Sequence, residues 1–391
     1  KASAEMGDLD AVIVAVVDET IGADAMLADK DAIPNLDALN DPRTRFVLTP
    51  DSPSETLARV VIAHFKLDKL GDNPFQEATG GEDVFNRYQN APPDTHQVFV
   101  LWEPYVSRVL EDPDVHRVVD SGDFEGYIVD VIVANRDYLR KEQDAVASLV
   151  EAYLEALHTF GDKDKMIQLV LDDADSLGEP LTQQQAEKLV RGIWWKNSQE
   201  NFAHMGLRET KTLQPMGGII ANITDVLKQT NGISEDPTRG KPDLLYRDTI
   251  LRKLSHLHPE QEVRERKPLP PLTDSQARVL LEKQTEGTLD VEPLVFARGR
   301  AELRPQSKLV LDELAQKLKT WPRYYVVVRG DTLRDDDPEV YKMNEQLALQ
   351  RAKAAERHLI EKGIPENRVH AIGGEPSGST SVSFVLHRPP R

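Results

Sequence analysis

The first 258 residues alternate short apolar runs with amphipathic stretches. The runs AVIVAVV (11–17), VFVLW (98–102) and YIVDVIVA (127–134) predict strands that are covered on both faces. Residues 55–65 and 145–160 carry apolar side chains at helical spacing. Strands separated by helices indicate parallel sheets of α/β type. Ligands of such sheets usually lie beyond the carboxyl ends of the strands, so the residues that follow these runs are candidate site residues.

From residue 294 onward the pattern becomes shorter and more regular. LVFARG (294–299) predicts a strand, 305–320 a helix, YYVVVRG (324–330) a strand and 344–362 a second helix. A glycine and a proline follow that second helix, as expected at a helix end. Two further strands are predicted at 369–372 and 381–386. The order βαβαββ predicts an α+β sandwich with its helices on one face of the sheet.

A proline- and charge-rich segment separates the two patterns. Residues 258–272 read HPEQEVRERKPLPPL and show no apolar periodicity. Prolines stiffen a chain and remove backbone donors, which suits a connector. We therefore predict a first domain at 1–258, a linker with a short helix at 259–289, and a second domain at 290–391.

The composition narrows the possible functions. A chain of 391 residues exceeds the usual size of one hydrophobic core, so more than one domain is expected. The formal net charge of −18 disfavours nucleic acid, whose recognition needs clustered Lys and Arg. Because there is no cysteine, disulfides, thiolate nucleophiles and Cys-bound metals are excluded. No apolar stretch reaches the roughly 18 residues of a membrane span. The chain begins with Lys1 rather than Met, so we expect a processed or shortened start.

Three stretches after the strands offer polar groups to a ligand. Asp18 and Thr20 follow the first strand, where the same residues also suit an ordinary turn. Ser52, Pro53 and Glu55 are expected to form a capping box, and the free amides of a helix start could also bind an anion. The third stretch contains Trp102, Glu103 and Tyr105. These side chains could line a ligand pocket, and the alternative is that the aromatic rings fill a core.

These residues resemble those of a known family. The stretches LWEPYVSRVL and VANRDYL and the D-x-T-x-GAD motif are similar to two-lobed periplasmic substrate-binding proteins that serve uptake of nitrate, alkyl sulfonates, phosphate or thiamine precursors. The resemblance implies an α/β domain with one lobe at 1–35 and 121–258 and the other at 36–120. It also implies a small anionic solute in the cleft, an ABC permease as a possible partner, and an incomplete first lobe, because the family has further strands before AVIVAVV. The solute-binding residues implied are Asp18, Thr20, Ser52, Ser54, Trp102, Glu103 and Tyr127.

The second domain resembles the OmpA-like peptidoglycan-binding domain. The similarity lies in Phe296-x-x-Gly299-x-Ala301-x-Leu303, Gly330 and the helix residues Asn344, Leu347, Arg351 and Ala352. The resemblance implies that Arg351 holds the carboxylate of diaminopimelate in the cell-wall stem peptide, with Asn344, Leu347 and Asp331 beside it. The alternative is a surface ion pair between Arg351 and Asp335 or Asp336. The family carries an aspartate where this chain has Leu333, so the amine end of the ligand loses its usual partner unless Asp331 or Asp335 replaces it from a shifted position.

No catalytic or metal-binding set is apparent. His256-x-His258 offers two imidazoles, but the sequence supplies no third ligand beside them. No P-loop, G-x-S-x-G or H-E-x-x-H motif occurs. We therefore expect no enzyme and no cofactor, but a periplasmic or outer-membrane-associated solute-binding protein that is tethered to the cell wall. The alternative is a scaffold in which both modules mediate protein contacts.

Overall fold

The computed structural model describes residues 10–92, 95–210, 213–264, 268–282, 287–289, 291–376 and 381–388. The chain divides into two compact units. The first comprises Lys1–Ala32, Arg43–Ala63 and Asp72–Arg266, and the second comprises Ile33–Pro42, His64–Gly71 and Lys267–Arg391. The predicted linker is thus shared between the units, and its residues 265–267 and 283–286 lie outside the described residues. Residues 1–9, which precede the first apolar run, also lie outside the described residues.

The first unit contains eight named strands in its described part. They are β1 Ala11–Thr20, β2 Asp24–Asp29, β3 Arg45–Leu48, β4 Phe75–Glu77, β5 Gln97–Trp102, β6 Val115–Asp120, β7 Val129–Asn135 and β8 Ile193–Trp195. The helices are α1 Pro53–His64, α2 Gly81–Gln89, α3 Tyr105–Val109, α4 Arg136–Lys141, α5 Gln143–Phe160, α6 Lys163–Ser176, α7 Gln183–Arg191, α8 Ser198–His204, α9 Met216–Gln229 and α10 Thr249–Lys253.

One sheet of this unit has the order β7-β1-β8, and both pairings are antiparallel. The apolar run of β1 is buried, as predicted, and packs with α5, α8, α9 and α10 in one core. Strand β7 is at the edge of the sheet and is only partly buried, so the prediction that it is covered on both faces is wrong.

The other sheet has the order β4-β3-β5-β2-β6. Strand β3 pairs in parallel with β4 and β5, whereas β2 pairs antiparallel with both β5 and β6. The prediction of wholly parallel sheets is therefore wrong, because apolar content predicts a strand but not the direction of its neighbour. The sequence also assigned Asp24–Asp29 to the lobe of β1, but β2 lies in the other sheet.

The second unit has one four-stranded sheet with two long helices. Its elements are α11 Asp274–Glu282, β9 Gly287–Leu289, α12 Pro305–Lys319, β10 Tyr325–Thr332, α13 Pro338–Glu361, β11 Val369–Pro376 and β12 Val382–His387. The sheet order is β11-β10-β12-β9, with β10 and β11 parallel. The first strand is β9, because the predicted strand at 294–299 contributes only an isolated bridge from Phe296 to Leu303. The α+β sandwich is confirmed, and α13 begins six residues before its predicted start because Asp337 caps it.

Gly330 lets β10 and α13 approach closely. A Cβ built at this position would lie 2.1 Å from the backbone oxygen of Ala348, which is far inside van der Waals contact. Only glycine fits there without moving the backbone of the helix. The glycine that the sequence placed at the end of this strand is therefore a packing requirement of the unit.

Candidate functional site

A cleft in the first unit lies beside the carboxyl end of β1. It opens to solvent and is narrow, with a volume of about 10 Å³, which is room for about one water molecule. Its polar groups come from the end of β1 and from the segment after β6, and its apolar groups come from α1 and from the residues before β7. The lining residues are Glu19, Thr20, Leu57, Val60, Ser121, Phe124, Tyr127 and Ile128. The end of β1 and helix α1 therefore meet at this cleft.

A buried ion pair supports the floor of this cleft. Lys196 Nζ lies 2.7 Å from Oε2 of Glu19, and the two side chains are 0% and 3% exposed. Glu19 also accepts a hydrogen bond from the backbone N–H of Gly126 at 2.8 Å. The ammonium of Lys196 lies 3.8 Å from the centroid of the Trp194 ring. Because a buried charge is costly without partners, these contacts fix the end of β1 against the segment before β7.

Two aspartates near this end of β1 have strongly perturbed acidity. Burial, followed by the repulsion of Asp130, raises the pKa of Asp18 from 3.8 to about 7. Burial also raises the pKa of Asp24 to about 7, against the lowering effect of a hydrogen bond with Thr20. Near neutral pH these carboxyl groups therefore exchange protons readily and can act as hydrogen-bond donors or acceptors.

The cleft brings together two of the seven predicted solute-binding residues. Thr20 and Tyr127 line it, and the ring of Tyr127 meets that of Phe124 edge to face with centroids 6.4 Å apart. Asp18 is 5% exposed and is not among the lining residues. The sequence missed Glu19, although it follows the first predicted run, and Ser121, which follows a strand (β6) that the apolar pattern did not predict.

The predicted capping box at the start of α1 does not form. Ser52 donates its hydroxyl to the backbone oxygen of Thr49 at 2.6 Å, so it does not serve the helix amides. Glu55 accepts from the backbone N–H of Asp51 at 2.6 Å and pairs with Arg59. Asp51 has a φ of 53°, and this left-handed turn moves the amide that Glu55 reaches. Ser54, the other predicted residue here, is fully buried and does not line the cleft.

Trp102 and Glu103 lie away from the lining of the cleft. Glu103 is 7% exposed and accepts hydrogen bonds from the backbone N–H and the hydroxyl of Ser107, at 3.1 and 3.0 Å. Its carboxylate therefore serves the start of α3. A Cβ built at Gly81 would lie 3.0 Å from atoms of the rings of Trp102 and Tyr105, so both rings pack against α2. The alternative of aromatic core packing describes this cluster.

In the second unit, α13 presents the predicted basic group on one face. Asn344, Leu347 and Arg351 are partly exposed and follow one another at helical spacing. Arg351 donates from Nε to the backbone oxygen of Arg300 at 3.2 Å, and its guanidinium lies 5.0 Å from the centroid of the Phe296 ring. Partial burial lowers the pKa of Arg351 from its usual value, and the group stays charged at neutral pH.

The terminal nitrogens of this guanidinium point to no carboxylate. Arg351 forms no ion pair with Asp335, Asp336 or any other acidic residue in the described part of the chain. The alternative of a surface ion pair is therefore not realised. A guanidinium held through Nε still presents a planar pair of donors to a carboxylate.

Asp331 does not stand beside Arg351 as an available ligand group. It is 5% exposed, lies 2.8 Å from Nε of Arg329 through Oδ1, and accepts from the hydroxyl of Ser381 at 3.0 Å. The interpretation that it replaces the missing family aspartate therefore finds no geometric support. Leu333, at the position where that aspartate is expected, is 44% exposed.

Comparison with known proteins gives one family match and several distant structural neighbours. The family model described as "OmpA family" matches residues 295–380. The ligand-binding component of an ABC-type import system from Staphylococcus aureus shares 12% identity and a TM-score of 0.46, over 65% of this chain and 78% of that one. The periplasmic aliphatic sulphonate binding protein SsuA from Escherichia coli shares 14% identity and a TM-score of 0.44, and the match covers 69% of this chain and 77% of that one. The periplasmic domain of Helicobacter pylori MotB shares 22% identity and a TM-score of 0.23, and the match covers 28% of this chain and 84% of that one. No curated protein matches the chain in sequence.

Residues 295–380 are thus an OmpA-like domain, as the sequence predicted. Within the described ranges, no helix has both the length and the apolar character needed to cross a membrane.

Proposed function

We propose that the second unit binds peptidoglycan through Arg351 and thereby tethers the protein to the cell wall. The observation that supports this most directly is the guanidinium itself, which is held in place through Nε while its terminal nitrogens face no carboxylate of the described chain. Bidentate Arg–carboxylate contacts are strong and directional. The ligand group, by the resemblance to OmpA-like domains, is the carboxylate of diaminopimelate in a stem peptide.

The chain holds this ligand at one end only. With Asp331 engaged by Arg329 and an apolar side chain at position 333, the amine of the ligand meets no carboxylate from this strand end. A polar group that loses its partner costs about 1–3 kcal/mol. We therefore expect wall binding that is about tenfold to a hundredfold weaker than that of a domain with both partners.

Co-sedimentation of the full chain with purified peptidoglycan tests this proposal. The Arg351→Ala variant should stay in the supernatant, because the carboxylate loses both donors. Arg357→Ala is the matched control, since Arg357 lies on the same helix and also donates through Nε to a backbone oxygen at 3.2 Å. Equal pelleting of the two variants would remove Arg351 from the binding site.

We further propose that the first unit captures a small solute at the cleft beside β1, which widens from its volume of about 10 Å³ to admit the solute. The feature in favour is the meeting of Thr20, Ser121 and Tyr127 with the apolar side chains of α1, which provides hydrogen-bonding groups within an apolar wall. Solute binding in the periplasm implies delivery to an ABC permease, and no chemical step is required of the protein.

The charge of the solute is open to a direct test. The sequence predicted an anion, and that remains a prediction. Glu19 lines the cleft and Asp18 and Asp24 lie near its end of β1, so a solute that brings donors or positive charge is the second candidate. Thermal unfolding of the full chain with a panel of oxyanions, amines and neutral polyols distinguishes them, because a ligand at a hundred times its Kd stabilises by about 2.7 kcal/mol.

The Tyr127→Ala variant should lose whichever stabilisation the panel reveals. Tyr153→Ala is its control, because that tyrosine contacts the backbone of β1 outside the lining of the cleft. No shift with any compound would favour the scaffold, in which both units mediate protein contacts.

A further inference from the structure

The first unit brings together two histidines and a glutamate that the sequence separates by about a hundred residues. His158 lies near the end of α5, while His258 and Glu260 follow α10. One ligand atom from each of the three lies within 4.8 Å of the other two. Among the described residues, no other group of three or more His, Asp or Glu side chains lies close enough together to share a metal ion. From this juxtaposition we propose that His158, His258 and Glu260 bind a divalent transition-metal ion such as Zn²⁺.

The distances are close to those of a coordination sphere. Zn²⁺ binds histidine nitrogen and carboxylate oxygen at about 2.0–2.2 Å, which places tetrahedral ligand atoms about 3.4 Å apart. Nδ1 of His258 lies 3.5 Å from Oε1 of Glu260, and Nε2 of His158 lies 3.9 Å from the same oxygen. These two distances exceed the tetrahedral spacing by about 0.1 and 0.5 Å, and the ligand atoms of the two histidines lie within 4.8 Å of each other.

His258, the less exposed of the two histidines, has the surroundings of a metal ligand. The side chain of His258 is 10% exposed, and its Nε2 is enclosed without a hydrogen bond among the described residues. Glu155, one turn before His158 on α5, has its Oε1 3.5 Å from that nitrogen. Binding of a metal through Nδ1 leaves the proton on Nε2, where it faces the Glu155 carboxylate. Metal-bound histidines commonly donate their other N–H to a carboxylate in this way.

His158 must adjust for binding. The two imidazole rings stack with centroids 4.0 Å apart and planes 19° apart, so their lone pairs run side by side instead of converging. His158 is 43% exposed and has room to turn its ring toward Glu260. Its Nδ1 lies 2.9 Å from the amide of Gln261, and metal on Nε2 requires that Nδ1 carry the proton and that the amide present its oxygen.

The pair His256-x-His258 lacked a third ligand in the sequence because only His258 belongs to the site. His256 instead faces Glu151, with Nε2 4.0 Å from the carboxylate and the side chain 67% exposed. The second imidazole of the site comes from α5. Metal binding would fasten the segment after α10 to α5, and two histidines with one carboxylate leave a position for water, which suits Zn²⁺, Co²⁺ or Ni²⁺.

Titration of the EDTA-stripped full chain with Zn²⁺ by calorimetry, and with Co²⁺ by visible absorption, tests the site. We expect His158→Ala and His258→Ala to weaken binding at least tenfold and to remove the Co²⁺ band. Glu155→Gln should weaken it about tenfold, because the Nε2–H of His258 then faces no carboxylate from α5. His256→Ala is the matched control and should bind within twofold of the parent chain.

Two results would overturn the proposal. One is a parent chain that binds no Zn²⁺ at millimolar concentration. The other is a His158→Ala variant that titrates as the parent does, since that residue is exposed and its loss leaves the fold intact. Far-UV circular dichroism checks the fold of the His258→Ala variant, and the His158→Ala result stands independently of it.

Discussion

The buried pair of Glu19 and Lys196 should be worth several times more than a surface pair of the same length. The chain offers a matched comparison, because Lys253 Nζ also lies 2.7 Å from a carboxylate oxygen, that of Asp144. The two pairs differ in burial: the side chains of the first are 0% and 3% exposed, and those of the second are 40% and 97% exposed. The two substitutions Lys196→Met and Lys253→Met therefore vary mainly the environment of the charge.

Lys196→Met removes the ammonium that pairs with the buried carboxylate of Glu19. Breaking a buried pair in this way costs about 3–5 kcal/mol, whereas losing an exposed pair costs about 0–1 kcal/mol. The variant also loses the contact of the ammonium with the Trp194 ring, which lies 3.8 Å away. We therefore expect the free energy of unfolding of the first unit to fall by about 3–5 kcal/mol, and by less than about 1 kcal/mol for Lys253→Met.

Differential scanning calorimetry of the full chain measures the effect, with the transition of the second unit as an internal reference. At about 2–4 °C per kcal/mol for a unit of this size, Lys196→Met should lower the first transition by about 6–20 °C. The double variant Glu19→Gln/Lys196→Met should recover part of the loss, because no buried charge is left unpaired. If Lys196→Met and Lys253→Met shift the transition equally, burial does not control the strength of this pair.

Three further predictions follow from single positions. Asp24 has a folded-state pKa near 7 against an ordinary value of 3.8, so between these values the folded protein binds more protons than the unfolded chain. The stability should therefore fall by up to roughly 4 kcal/mol as the pH rises from 4 to 7. Urea unfolding of Asp24→Asn should show a flatter dependence of stability on pH. Gly330→Ala should destabilise the second unit by about 1–3 kcal/mol or more, since the added Cβ meets the backbone of Ala348. Gly373→Ala is the control, because Gly373 pairs with Gly330 from β11 and has open space around it. Its free energy of unfolding should lie within about 0.5 kcal/mol of that of the parent chain. Leu333→Asp should strengthen co-sedimentation with peptidoglycan about tenfold, and unchanged pelleting would place residue 333 away from the ligand.

The sequence alone determined the features that depend on neighbouring residues. The apolar run of β1 and the helical spacing of α5, α12 and α13 predicted these elements, because the period of apolar side chains follows from backbone geometry. The order of elements in the second unit, apart from its first strand, was likewise predictable. So was the position of Arg351 on one face with Asn344, since two turns of a helix bring both side chains to the same side.

The tertiary structure decided what depends on residues that are distant in the chain. The direction of strand pairing was one such feature, and it made β2 an antiparallel member of the second sheet. The burial of Asp331 against Arg329 was another, because a carboxylate in the sequence looks the same whether it faces water or a neighbouring cation. Only the packing of the segment after α10 onto α5 placed His158 beside His258. Such contacts arise from folding the whole unit, and no local pattern of side chains encodes them.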